Sequence, residues 1–198
     1  YPGSDSVRGV KEESMLRKIL LVLVALALLG GALPAQEGQI AVTSAHYLAT
    51  DAAVEVLRNG GNAADAAFTT AAVLTIVQPW FSSVMGGGTW ALYYDASTGQ
   101  VRTQDGVGTA ASGATSEFFL NSSNAGRSGM HQAIVPGAWA GWMEWLKEEG
   151  RTDLDDLLQP AIEIADRGYE VYSEMRTWLQ RGEDNISNWP YSRELYMP

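Results

Sequence analysis

Pro79, Ser82, Ser83 and the run Gly86-Gly87-Gly88 stand close together, and hydroxyls beside glycines raise the question of nucleophilic catalysis. A serine nucleophile needs a base. The chain has two histidines, His46 and His131, and neither is placed by sequence against Ser82 or Ser83. There is no G-x-S-x-G turn to expose a serine at a strand end. Thr69 and Thr70 cannot act as N-terminal nucleophiles, because an internal threonine's nitrogen is an amide and not a base. The three glycines invite a phosphate-loop reading, but they lead into a strand and carry no Lys. Backbone crowding at a tight turn accounts for them better. With no cysteine and only two histidines, neither a cysteine-based nor a histidine-rich metal centre is expected. No catalytic residue and no metal ligand is therefore assigned within this chain.

Charge narrows the partners. The net charge is −10, and the nine Lys/Arg residues after position 35 are scattered, so no basic face for nucleic acid is expected. At the other end, Met15 is followed by Arg17, Lys18 and an apolar run from Ile19 to Leu29, then "GGALPAQ". A basic start, a short apolar core and a small-residue exit at Ala35 read as a signal peptide over 15–35. The run is short for a bilayer span, so no stable span is expected once it is removed, and a retained anchor is the alternative. Residues 1–14 precede the plausible initiator and read as upstream sequence. Residues 36–198 are expected to be the exported part, periplasmic or extracellular, and to end inside a larger domain.

Several elements must position the candidate residues. Ile40–Thr43 is a short β-type run. Leu48, Ala52, Val56 and Leu57 then share a helical face. Asn59-Gly60-Gly61 ends that helix, Asn62 caps the next, and Asp65 sits at its positive end. This second helix, "AADAAFTTAAVLTIV", stops before Pro79. Its alanines leave it narrow, and Asp65 is its one charge, so a buried position is expected. A hairpin follows over 89–105, turning at "ASTG". Beyond it come a short helix near Ser116–Leu120, a loop over 121–129, and a helix from Pro136 to Gly150 with Trp139, Trp142, Trp145 and Leu146 on its core face. A further helix is expected to begin at Pro160 and close on Gly168. This order is that of an α/β or α+β layered protein whose hairpin needs further strands to complete a sheet.

"AHYLATDAAVEVLRNGGNAADAA", then "QPWFSSVMGGGTWALYYD", "VPGAWAGW" and "LDDLLQPAIEIADRGYEV" resemble, in order and spacing, the N-terminal part of the gamma-glutamyltransferase family, over about residues 36–175. The resemblance implies part of a four-layer αββα N-terminal-nucleophile hydrolase fold, with the alanine helix close against the central sheets. It implies a precursor that cuts itself into a large and a small subunit. The threonine exposed by that cut would attack a γ-glutamyl amide, with its own amine as base and no cofactor. That threonine belongs to sequence outside this chain, so this chain alone is expected to be inactive. Its partners would be the remainder of the precursor and a small γ-glutamyl or acyl amide. In the family an Arg in an Asp-Phe-Arg-Glu-x-Ala-Pro stretch grips the glutamyl α-carboxylate. The matching stretch here is Asp105-Gly106-Val107-Gly108-Thr109-Ala110-Ala111, with Val107 at the Arg position. Val107 and, as a nearby substitute cation, Arg102 are the substrate-binding candidates. The departure at Val107 leaves open an amidase or acylase not specific for γ-glutamyl groups. A non-catalytic envelope binding protein on the same scaffold is the reading of a different class.

Overall fold

The computed structural model describes residues 40–121, 131 and 133–197. The expected signal peptide and the 121–129 loop beyond Asn121 lie outside the described residues. Everything below belongs to the unit that begins at Ala41.

Helix α1, Tyr47–Arg58, and helix α2, Ala63–Val77, are joined by the Asn-Gly-Gly punctuation. Gly60 has φ +96°, the left-handed conformation that a side chain would strain. Gly61 is required for another reason. A Cβ there would lie 2.6 Å from the Val56 side chain and 2.9 Å from its carbonyl. Asn62 then accepts from the backbone N–H of Ala64 and Asp65, while Asp65 accepts from the N–H of Asn62. This reciprocal pair satisfies donors that the first turn of a helix would otherwise leave orphaned.

The narrow α2 is the centre of the helical layer. It packs on α1, on α4 (Ala138–Glu149) and on α5 (Leu154–Arg167). Ala64, Phe68, Val84, Ala138, Trp142, Trp145 and Leu157 form one core cluster, and Ala49, Ala72, Val73, Val77, Ala161 and Ile164 form a second. The small residues are used for close approach between helices: Ala49 and Ala53 of α1 are fully buried, whereas the larger Leu48, Val56 and Leu57 are half-buried. Complete burial of Phe68 alone is worth about 1.5–3 kcal/mol. The expectation that α2 lies against sheets is met only indirectly. Its neighbours are helices, and strand residues Ala91 and Tyr93 reach the same cluster from beyond α4. The tryptophan face of α4 is core, as its spacing predicts, with Trp142 and Trp145 buried and Trp139 and Leu146 packed beside them.

Strands β1 (Trp90–Asp95) and β2 (Gln100–Asp105) pair antiparallel, with Tyr93 opposite Arg102 and Ala91 opposite Gln104. Side chains alternate across the sheet. Ala91, Tyr93, Arg102 and Gln104 share the α4 side, where Gln104 donates to the Gly141 carbonyl. Trp90, Leu92, Tyr94 and Val101 occupy the other face and are 58–73% exposed. Short helices α3 (Ser116–Asn121) and α7 (Pro190–Tyr196) and the longer α6 (Ser173–Ser187) complete the described elements.

Two expectations need correction. Residues 40–43 form no strand, because the described sheet has two strands and offers them no ladder partner. The helix assigned to begin at Pro160 begins at Leu154 and holds Pro160 in its interior. Leu157, Ala161 and Ile164 recur on one face and are buried, and Asp155 and Asp156 sit in the positive first turn. That buried face outweighs the hydrogen bond the proline ring forfeits to the Asp156 carbonyl, which belongs to an exposed residue.

Candidate functional site

Val107 lies two residues beyond β2, where three stretches of backbone cross. The Gly106 N–H donates to the Thr89 carbonyl at 2.8 Å, and the Thr89 N–H donates back at 3.4 Å, so the ladder runs one pair past the strands. A side chain on Gly88 would come within 2.9 Å of the Val107 methyl group, so the glycine run is what lets Val107 sit against it. On the next layer, a Cβ on Gly106 would approach the Gly141 Cα to 2.9 Å. A Cβ on Gly108 would collide with the Val135 carbonyl, and one on Gly137 with the Gly108 backbone. The carbonyl of Gly87 accepts from the N–H of Gly137 at 2.9 Å and of Ala138 at 3.2 Å, closing the N-terminus of α4. In the run itself the Gly86 N–H is taken by Ser83 Oγ, and the run leads into β1 and not into a helix N-terminus. Crowding, the sequence-based account of the glycines, holds at Gly88, while Gly87 is required by its φ of +67°.

The backbone of Val107 is pinned by its own turn, its N–H donating to the Asp105 carboxylate at 3.0 Å. What it presents is a half-buried isopropyl group with no charge. Arg102 is turned elsewhere. Its guanidinium forks onto Glu149, Nε to Oε1 at 2.8 Å and Nη2 to Oε2 at 2.9 Å, and lies 3.6 Å from Asp95. It also stands over the Tyr93 ring, 5.6 Å from the centroid. A bidentate pair with a largely buried Glu149 carboxylate fixes the fork in place. The structure therefore brings Val107 together with Gly88, and Arg102 together with α4, without joining the two. Asp95 is held down to about 2, chiefly by hydrogen bonds from the Ser97 hydroxyl and backbone and from Thr98, so it stays charged beside Arg102.

Several other chemically capable groups have structural partners. Ser83 Oγ accepts from the Gly86 N–H at 2.8 Å. Thr69 Oγ1, fully buried, donates to the Leu157 carbonyl, and Thr70 Oγ1 donates to that of Ala66. His46 caps α1 through Nδ1, and His131 meets the edge of Phe118. Among the described residues no Ser–His pair forms, and no three His, Asp or Glu side chains gather as a metal site. An open groove of about 900 Å³ runs between α1 and α5, between Leu48 and Ile164, well apart in the chain from Val107.

Sequence reasoning missed Asp65 as a long-range anchor. Its carboxylate is fully buried and accepts from the Arg151 N–H at 3.0 Å and the Thr152 hydroxyl at 3.1 Å, tying α2 to the link between α4 and α5. The signal was present, since a lone charge in an alanine helix must find donors if it is buried. It missed also that Gly106, Gly108, Gly137 and Gly141 belong to one crossing, which spacing along the chain does not reveal.

Comparison with known proteins places this geometry. The gamma-glutamyltranspeptidase family model matches residues 49–198. The chain is 31% identical over 156 residues to the glutathione hydrolase-like YwrD proenzyme of Bacillus subtilis (strain 168), covering 78% of this chain and 30% of that protein. It is 30% identical over 176 residues to the acylase ACY 1 proenzyme of Pseudomonas sp. (strain SE83), covering 83% and 31%. The crystal structure of Helicobacter pylori gamma-glutamyltranspeptidase superposes with a TM-score of 0.74 at 29% identity, covering 81% of this chain and 47% of that one. The chain thus spans roughly a third of the length of the curated relatives it matches.

Proposed function

Because the chain belongs to the gamma-glutamyltranspeptidase family, we propose that it is the N-terminal part of the large subunit of an exported amide-cleaving enzyme. The precursor would cleave itself, and the new N-terminal threonine, in sequence beyond this chain, would carry the reaction. Its hydroxyl adds to the donor carbonyl while its α-amine takes the hydroxyl proton. The leaving amine departs with a proton and an ester to the threonine remains. Water, or an acceptor amine, then resolves that ester. No residue described here supplies the nucleophile, and the described chain alone would be inactive. Export rests on the signal-like segment 15–35. No helix among the described residues is long and apolar enough to cross a membrane.

The donor is either a γ-glutamyl amide, as in glutathione, or an acyl amide without the α-carboxylate. One observation favours the second. The family's carboxylate-binding Arg position holds Val107, whose neutral side chain is locked beside Gly88, while the nearest cation in sequence, Arg102, is forked onto Glu149. A neutral side chain gives no charge-assisted bond to a carboxylate. Losing such a buried pair weakens recognition by about 2–5 kcal/mol. Relatives carrying either name, glutathione hydrolase or acylase, are consistent with one scaffold serving both donors.

The test is made on the complete precursor after processing. The ratio of kcat/KM for γ-glutamyl anilide to that for a neutral acyl anilide is measured in wild type and in Val107→Arg. The ratio is expected below one in wild type and to rise at least about tenfold in the variant. A wild type that strongly prefers the glutamyl donor, with a ratio unchanged by Arg at 107, removes Val107 from the pocket. Arg102→Ala then tests whether the Glu149 fork releases Arg102 to the donor. Absence of turnover with any amide favours a binding protein on this scaffold.

A further inference from the structure

His46 stands at a junction that the proposed reaction does not use. The residue is 6% exposed. Nδ1 accepts from the Leu48 N–H at 3.2 Å and is the side-chain cap of α1. An accepting Nδ1 puts the imidazole proton on Nε2. The ring is stacked on Tyr47 at 4.8 Å and meets the edge of Tyr172 at 4.6 Å. Tyr172 belongs to the strap between α5 and α6, and its hydroxyl donates to the Val77 carbonyl at the end of α2. One imidazole therefore links the start of α1, the end of α2 and the strap that leads into α6.

Among the described residues, three titratable groups stand around it. Tyr47 is on its own helix, and Tyr172 and Glu174 come from the strap and α6. The α2 end contributes Val77, which has no charge. Burial raises the Tyr172 hydroxyl, so it stays neutral across the acidic range. Glu174 accepts from the Ser173 hydroxyl at 2.8 Å, which holds its carboxylate below the usual range, so it stays anionic where an imidazole protonates. Burial lowers the His46 pKa, and Glu174 opposes that only in part.

We propose that His46 is an acid-sensitive latch: neutral, it caps α1 and seats the Tyr172 strap; protonated, it loses the cap and turns toward Glu174, loosening the strap and α6. The chemistry forces a choice. A protonated Nδ1 is a donor and cannot accept from Leu48. The cap and the charge exclude each other, while the Glu174 carboxylate favours the charged ring by its field. The sign follows from the lowered pKa. The folded arrangement binds the proton more weakly than the open one, so the latch is closed above about pH 6.5 and weakens as pH falls below it.

The experiment is hydrogen exchange by mass spectrometry on the full chain at pH 7.5 and 5.0, corrected for intrinsic exchange, with near-UV circular dichroism to establish folding at pH 7.5. Wild type is expected to lose protection at residues 47–50 and 172–178 by about tenfold at pH 5.0 relative to α2. His46→Asn keeps a capping side chain that does not titrate and should abolish that difference. Glu174→Gln, which removes that field, should shift opening to lower pH. Equal pH dependence in wild type and His46→Asn overturns the proposal, as does a wild type whose two segments stay protected at pH 5.0. Should His46→Asn not fold, the wild-type imidazole and the Leu48 amide, followed by NMR, carry the test. They must titrate with one midpoint, and separate midpoints overturn it.

Discussion

Asp65 shows how much one side chain can hold. Its carboxylate serves Asn62 on its own helix and Arg151 and Thr152 eighty-six and eighty-seven residues away. Asp65→Ala leaves those part-buried donors without their acceptor, and each donor that water does not reach costs about 1–3 kcal/mol. The expected loss is about 3 kcal/mol or more in a urea titration, with α5 exchanging faster in parallel. Asp65→Asn keeps the shape but turns an N–H₂ group toward donors, so its loss should be intermediate. A loss below about 0.5 kcal/mol for Asp65→Ala would mean that water replaces the carboxylate.

Pro160 makes the corresponding case for an element. In α5 it sits seven residues in, opposite an Asp156 carbonyl that has lost its helical donor. Restoring the N–H with Pro160→Ala is expected to stabilise the chain by about 1–3 kcal/mol, seen as a higher denaturation midpoint at unchanged slope. Destabilisation would show that the ring itself packs in the groove beside α1. This element also marks the limit of reading from sequence. Caps written in local chemistry, such as Asn59-Gly60-Gly61-Asn62, were legible because they depend on residues a few positions apart. The start of α5 was not, because a proline preference was set against a buried face that is completed by α2. The tryptophan face of α4 was legible by its period, and the turn at Gly99 by its composition. The crossing of Gly88, Gly106, Gly108, Gly137 and Gly141 was not, since it joins positions up to 53 residues apart that no local rule connects. Val107 could be named from the family motif, but its contact with Gly88 and the diversion of Arg102 to Glu149 needed coordinates.

At the scale of the whole molecule, the hairpin carries apolar residues on both faces, and α4 covers only one. Trp90, Leu92, Tyr94 and Val101 form the bare side. Exposed apolar sheet faces of this kind invite association. The isolated chain is expected to self-associate at micromolar concentration. Leu92→Lys together with Val101→Lys should return it to a monomer in sedimentation velocity, with little change in helical circular dichroism. Association that persists in the double variant would place the contact elsewhere. The same bare face has a consequence in time. The contacts between α1 and α2 join neighbours in the chain, so this helix pair can meet early in synthesis, while the core faces of α2 wait for α4 and α5. The hairpin emerges next, with one side finished by α4 only some forty residues later and the other left bare by the described residues. During synthesis the chain thus passes through an interval set by translation speed. In that interval a partly covered helix pair carries an unfinished strand pair, and the rate of elongation governs how long other chains can reach it.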